Sequence, residues 1–279
     1  MAERGGSVTE RAEPVPSIAD ERRISVCSLE LHPMGSSRAV DRIVEWSRMR
    51  DSSFVVCMAN VHMLVEAHDH PDLAEELKQA DMVLPDGMPL VWLMRRRGAP
   101  DQDRIAGMDF LPELCLAAER ARVPVYFIGS TVPVLEAMER KLRREFPRLL
   151  IAGMESPPFR PLSEVEETGI LHRIAGSRAG IVLVALGCPK QERWMLARRD
   201  RLRGVLVGLG AAFPTYAGFQ ARAPRRMQRM GLEWLHRLVN EPRRLWRRYL
   251  YTNTKFLWCL LRERQGHQTT LASRRNGVS

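Results

Sequence analysis

Long apolar runs are missing from this chain. Nowhere in its 279 residues do the roughly 18 consecutive apolar side chains of a bilayer-spanning helix occur. Metal and redox signatures are missing too. The five cysteines, Cys27, Cys57, Cys115, Cys188 and Cys259, form no C-x-x-C pair, and four of them lie inside apolar stretches. That is the usage of buried, reduced thiols in a cytosolic protein, and it excludes a disulfide framework and a cysteine zinc site. The histidines show no H-E-x-x-H spacing, and His62, His68 and His70 lie on or beside a helical stretch with no cysteine partner, so no metal is expected. No first strand carries G-x-G-x-x-G and there is no P-loop, which counts against dinucleotide and nucleoside-triphosphate enzymes. Residues 1–23 are polar, rich in Pro and Glu, and lack the apolar core of a secretory signal; they read as a disordered leader.

What is present is alternation. At 45% hydrophobic and 27% charged, the chain has the content for one large domain, or one domain with an appendage. Strand-like runs rich in Val, Ile and Leu occur at 54–58, 82–84, 125–128, 149–152, 181–186 and 205–207, bounded by Gly, Pro or Asn. Helical periodicity occupies 38–49, 72–80, 110–122, 132–146 and 190–202; in the first of these Val40, Ile43, Val44 and Trp46 form much of an apolar face. Strand and helix in turn predict an α/β fold, a parallel sheet covered on both faces. There is no internal repeat.

Ligands of such sheets bind at the carboxyl ends of the strands. Those tips read Met58-Ala59-Asn60, Pro85-Asp86-Gly87, Gly129-Ser130-Thr131, Gly187-Cys188-Pro189-Lys190-Gln191 and "VGLGAAF" at 207–213. Several place a small and a polar residue just before a helix, where free N–H groups and the helix dipole favour an anion such as a diphosphate; ordinary capping and turn chemistry explain any single tip equally well. The last third changes character. Between residues 222 and 264 twelve Lys or Arg face Glu233, Glu241 and Glu263, which accounts for nine of the chain's net +10. Three of the six tryptophans, Trp234, Trp246 and Trp258, sit in the same segment. Arginines interleaved with Trp and Leu at helical spacing describe helices lying in a membrane interface, where each cation near anionic lipid contributes about 1 kcal/mol. Arg243, Arg244, Trp246, Arg247, Arg248 and Trp258 are the expected contacts. The competing reading packs the aromatics on the core and leaves the arginines solvated; nucleic acid is not expected, since no motif for it accompanies the charge.

The stretches "DMVLPDGMPLVWLMRRRG", "RIAGMDFLPELC", "VYFIGS", "VLVALGCPKQERW", "GVLVGLGAAF", "RAPRRMQRMGLEWLHRLVNEPRRLWRRYL" and "NTKFL" occur in the order, and near the spacing, of one family. From residue 25 to 264 the chain resembles the WecG/TagA/CpsF family of bacterial glycosyltransferases. The resemblance implies a Rossmann-like sheet and inverting transfer of a sugar from a UDP-sugar to a polyprenyl-diphosphate-linked saccharide, with no cofactor. It also implies a basic C-terminal appendage that meets the membrane and completes the site. Asp86 matches the family's general base, Asn60 a residue that holds the donor sugar, and Arg104 and Gln191 polar residues of the site. An inverting displacement needs one base to take the acceptor hydroxyl's proton, and cations or helix ends to neutralise the departing diphosphate. Lys190, Gly129, Ser130, Arg225, Arg226 and Arg229 are added here as candidate diphosphate contacts. Against these roles, Arg104 can be a surface partner of Asp101 or Asp103, and Gln191 a first-turn helix residue.

Two departures bear on the donor. Met58-Ala59-Asn60 stands where members transferring N-acetylmannosamine usually have Thr-Pro-Asn, and Ala211-Ala212-Phe213-Pro214-Thr215 replaces Gly-Ala-Phe-Asp-Phe. A glucose-like donor therefore stands beside N-acetylmannosamine. The expected organisation is a leader (1–23), a Rossmann-like domain (24–221), a helical membrane-binding appendage (222–264) and a disordered tail (265–279). The expected place of work is peripheral, on the cytoplasmic face of the plasma membrane against its anionic inner leaflet, and homo-oligomerisation stays open. The alternative from another class is a catalytically silent protein of the same fold that docks on membrane or partner; it predicts no UDP release in the presence of acceptor.

Overall fold

The computed structural model describes residues 22–49 and 51–276, with side chains through residue 263, so most of the expected leader lies outside the described residues. The chain opens with a hairpin, β1 (Ile24–Val26) and β2 (Leu29–Leu31), in which alternate residues are buried. A main sheet follows, made of β3 (Ser53–Ala59), β4 (Met82–Pro85), β5 (Val125–Gly129), β6 (Ile151–Glu155), β7 (Ile181–Ala185) and β8 (Gly204–Gly208). Its spatial order is β4-β3-β8-β7-β5-β6 and every pairing is parallel. All six expected strands are there; the one expected at 149–152 is shifted to Ile151–Glu155. The strand of residues 24–26 and its partner were not anticipated.

Side chains alternate across the strands and so divide the core in two. Val56, Met58, Val125 and Phe127 belong to one face, packed under α1 (Ser36–Trp46), α5 (Gly107–Ala121) and α6 (Val132–Glu145). Val55, Cys57, Ala59, Tyr126 and Ile128 belong to the other, under α2 (Val61–Asp69), α3 (Pro71–Lys78), α4 (Met88–Arg96), α7 (Glu164–Gly176) and α8 (Lys190–Arg198). Strands buried on both faces read as continuous apolar runs because neither side meets water. The hairpin joins the second face: His32, just past β2, is fully buried, and the Val83 N–H donates to its Nδ1 at 3.0 Å.

The short α9 (Ala212–Tyr216) follows β8, and the basic segment then folds as α10 (Arg225–Arg229), α11 (Glu233–Asn240) and α12 (Pro242–Asn276). The last helix therefore continues past residue 264, where the appendage was expected to end. One face of α12 is core: Leu245, Thr252, Phe256 and Cys259 are buried. The helix lies along α2, with the Lys255 Nζ 2.9 Å from Asp69 and the Tyr251 hydroxyl donating to the same carboxylate at 2.5 Å. Farther on, Glu263 pairs with Arg97 at 2.5 Å and accepts the Cys27 N–H at 2.9 Å. Half-exposed ion pairs are worth under about 1 kcal/mol each, whereas burying one phenylalanine contributes about 1.5–3 kcal/mol, so Phe256 does more to hold α12 than any of these pairs. The opposite face is bare: Leu250, Leu257 and Leu261 are 64%, 61% and 59% exposed, with Trp246 on the same stripe. No described helix is long and apolar enough to cross a membrane.

Candidate active site

The carboxyl ends of β3 and β4 lie side by side, with Ala59 registered against Pro85. The chain therefore leaves the sheet at Asn60 and at Asp86 as immediate neighbours, and the Asp86 N–H donates to the Ala59 carbonyl at 2.7 Å. Asn60 caps α2: its Oδ1 accepts the N–H groups of His62 at 3.0 Å and Met63 at 3.2 Å. That use fixes the carboxamide and leaves its NH2 group as the available donor.

Asp86 is held from the other side by the segment entering α5. The Ile105 N–H donates to the Pro85 carbonyl at 2.9 Å, and the Gly107 N–H, in the first turn of α5, donates to Asp86 Oδ1 at 3.1 Å. No ion pair reaches Asp86 among the described residues. The residue as a whole keeps some solvent exposure, while its carboxylate is buried. Burial raises its pKa above the ordinary carboxylate value and the Glu233 carboxylate adds to this; Arg237, the Gly107 N–H and Arg104 oppose it.

Arg104 is not the partner of Asp101 or Asp103; Asp103 pairs with Arg95 at 3.0 Å. The Arg104 guanidinium reaches the appendage instead, with Nη1 2.5 Å from Glu233 and Nη2 donating to Gln228 Oε1 at 3.2 Å. Gln228 is buried, its Nε2 donates to the Ala223 carbonyl at 2.6 Å, and its Oε1 also takes a bond from Arg222, which grips Asp109 at 2.5 Å. The appendage is thus tied to the sheet domain directly beside Asp86.

Gln191 does lie in the first turn of α8, and it is also only 4% exposed. Its carboxamide lies under the tip of β8, close to Gly208 and Gly210, with Nε2 donating to Glu192 Oε1 at 2.7 Å. Gln191 Oε1 and Glu192 Oε2 are buried with no protein partner, and burial raises the Glu192 pKa. Lys190 beside them is exposed and makes no hydrogen bond or ion pair with a described residue.

Gly129 and Ser130 leave β5 with positive φ, 112° and 62°. A Cβ on Gly129 would fall 2.3 Å from the Ala185 carbonyl oxygen, so only glycine fits there. Four strand positions separate β5 from β4, about 19 Å at ~4.8 Å per strand, so this tip is not beside Asp86.

The appendage cations sort differently from expectation. Arg225, Arg226 and Arg229 are exposed on α10, and none is bonded to Asp86, Arg104 or Gln191. Arg237 and Arg248, which were not singled out for the site, turn toward it. Arg237 acts on Asp86 electrostatically. The Arg248 charge acts on Cys188, in the β7–α8 turn, and on His62, and burial, with the charges of Arg237 and Arg244, lowers its pKa. Arg248 was expected to face lipid; it is exposed like its neighbours on α12, and its charge also acts on His62 and Cys188. Burial and then Arg248 depress His62 to about 4, so its ring is neutral at pH 7. Of the other expected membrane contacts, Arg243, Arg244, Trp246 and Arg247 are exposed, Arg244 pairing with Glu241 and Arg247 lying over the Trp246 ring. Trp258 stacks edge-on with His68 and under Arg262, and Trp234 packs on Tyr249 within the appendage. The helical facing of these residues was hidden from a count of charges because α12 has two apolar faces.

A strand-tip carboxylate free of ion pairs among the described residues, two appendage arginines whose charges act on groups at the same end of the sheet, and helix amino termini at α2, α5 and α8 suit an anionic ligand and one proton transfer. The N-acetylglucosaminyldiphosphoundecaprenol N-acetyl-beta-D-mannosaminyltransferase of Bacillus spizizenii (strain ATCC 23059 / NRRL B-14472 / W23) is 36% identical over 199 residues, 71% of this chain and 75% of that relative. Residues 24–270 match the glycosyl transferase WecG/TagA/CpsF family, and the chain, a glycosyltransferase, belongs to that family.

Proposed function

We propose that the chain transfers a sugar from a UDP-sugar to a saccharide carried on a polyprenyl diphosphate, with inversion at the anomeric carbon, in the building of a bacterial surface polysaccharide. The carrying observation is the state of Asp86: a strand-tip carboxylate made more basic by burial, hydrogen-bonded only by Gly107 and free of any ion pair among the described residues. In a single displacement Asp86 takes the proton of the acceptor hydroxyl as that oxygen attacks the anomeric carbon, while the UDP leaves from the opposite face. The departing diphosphate gains charge, and Arg248, Arg237 and the amino terminus of α8 are the groups placed to stabilise it. The Asn60 NH2 is placed to donate to the donor sugar beside the base.

The relative's name specifies an N-acetylglucosaminyl-diphosphoundecaprenol acceptor and a β-mannosaminyl product. We carry the class of acceptor over to this chain. Met58 is packed in the core on one face of the sheet, so this position carries no hydroxyl, and N-acetylmannosamine and glucose both stay under test. The working place is the cytoplasmic face of the plasma membrane, with the bare stripe of α12 toward lipid.

The test is a panel of UDP-sugars incubated with a short-chain polyprenyl-diphosphate-N-acetylglucosamine, with UDP release followed and the product's anomeric configuration read by NMR. One donor should give acceptor-dependent UDP release and an inverted linkage. A retained linkage would refute the single displacement, and UDP binding with no turnover on any donor would favour the silent docking protein.

A further inference from the structure

Arg104 belongs to the segment that runs along Asp86, only one residue before the Ile105 N–H that binds the end of β4. An arginine so placed ordinarily pairs with the carboxylate. Here its two terminal nitrogens are committed to Glu233 at 2.5 Å and Gln228 at 3.2 Å, both from the appendage. Its side chain is only 11% exposed, so these two contacts set where the guanidinium sits. Gln228 is itself locked by its bond to the Ala223 carbonyl.

We propose that Glu233 and Gln228 form a clamp, carried by the appendage, that holds the Arg104 guanidinium off Asp86 and so keeps the carboxylate unpaired. Glu233 is then a positioning residue: it touches no reacting atom and acts on the base through Arg104. The groups that face Asp86 are Glu233 and Arg237 from α11, Arg104 from the loop before α5, and the Gly107 N–H of α5. With Glu233 neutral, Arg104 loses its anionic partner and is released toward Asp86, on which its charge already acts; an opposite charge within ion-pair reach favours the ionised form and weakens the base. The appendage thereby contributes to the chemistry through a carboxylate as well as through its arginines. The clamp's catalytic importance rests on the reading of Asp86 as the base, but the clamp itself can be tested without turnover.

The experiment is a pH titration, followed by carbon NMR, of full-length protein labelled with [γ-13C]aspartate. The Asp86 resonance is the one absent from Asp86→Asn. Glu233→Gln should move the Asp86 midpoint to lower pH by about one unit or more, the size an approaching guanidinium produces. With Arg104→Gln already present, the same Glu233 substitution should move it much less, and Glu233→Asp should restore most of the wild-type midpoint. Equal displacements in both backgrounds would overturn the clamp, leaving only the bare charge of Glu233; so would no displacement in either. Thermal melting of each variant, with Arg104→Gln/Glu233→Gln as the fallback should the single variant unfold, separates loss of fold from loss of the clamp. Failure of the base reading shows elsewhere, as an Asp86→Asn enzyme that still turns over.

Discussion

A carboxylate at the amino end of a helix is ordinarily held ionised, yet Asp86, bonded to the first turn of α5, titrates above the usual range. The dipole contributes about 0.3–1 kcal/mol to the anion, while desolvation in a concave site moves a carboxyl by as much as several pH units, so burial wins. Asp86→Asn keeps the size and the turn and removes the base. Turnover should fall by roughly 10²- to 10⁴-fold in a UDP-release assay, with UDP affinity little changed by calorimetry. Activity within about threefold of wild type would return Asp86 to a turn role. A second residue-scale outcome concerns His32, whose Nδ1 must stay bare to accept the Val83 N–H. Burial depresses it from 6.5 to about 4, so the unfolded chain binds the proton first. The stability it contributes is complete above pH 6.5 and is lost as the pH falls toward 4. At about 1.4 kcal/mol per unit this amounts to about 3 kcal/mol. Urea melts between pH 7 and 4.5 should show a shallower decline for His32→Gln than for wild type; parallel declines would remove His32 from the acid response.

At the scale of elements, five of the six sheet strands were legible because they are largely buried on both faces and flanked by turn residues; the edge strand β6 is half-buried throughout, and it is the one whose place was shifted. The hairpin of β1 and β2 was not, since two three-residue strands give alternation nothing to act on. The helix α4 escaped because its sequence, MPLVWLMRR, is apolar almost all round and has a proline as its second residue, so no helical stripe stands out. Asp86, Asn60 and Gln191 could be placed at strand tips from order alone. Glu233, Arg237 and Arg248 could not, because which face of an appendage helix meets the sheet domain depends on its docking angle. That angle turns on Gly231, between α10 and α11, where φ is 69° and an added Cβ would lie 2.9 Å from Trp92 and 3.2 Å from Met88 on α4. Gly231→Ala meets both the left-handed backbone and the indole, and it should unseat α11. Turnover should fall at least about tenfold while the sheet domain, which does not include this residue, keeps its melting temperature within a few degrees. Full activity would show that Trp92 yields and that docking is not set here.

For the whole molecule the question is how a protein with no membrane-crossing helix among its described residues meets an acceptor anchored in lipid. Deleting the appendage is a blunt test, because Leu245, Phe256 and Cys259 of α12 are core and their loss would uncover α2. The bare stripe offers a cleaner one. Leu250 and Leu257 are more than half exposed and point away from that buried face, so Leu250→Asp/Leu257→Asp should leave the melting temperature unchanged. Fully burying one leucine is worth about 1.5–3 kcal/mol, so losing two from an acyl boundary should weaken co-sedimentation with vesicles of phosphatidylglycerol and phosphatidylcholine at least about tenfold. On the proposed docking, the exposed Arg243, Arg244 and Arg247 should supply the other part of the attraction, which is screened over about 10 Å at 0.1 M salt. Binding of the wild type should therefore fall as salt rises and level off at an apolar remainder, and the double variant should lose that remainder. Turnover on a water-soluble acceptor should survive in the variant, because Arg248 reaches the cleft from the other side of the same helix, while turnover on long-chain acceptor in vesicles should drop with binding. Unchanged co-sedimentation of the folded double variant would mean that α12 shows its leucines to something other than lipid.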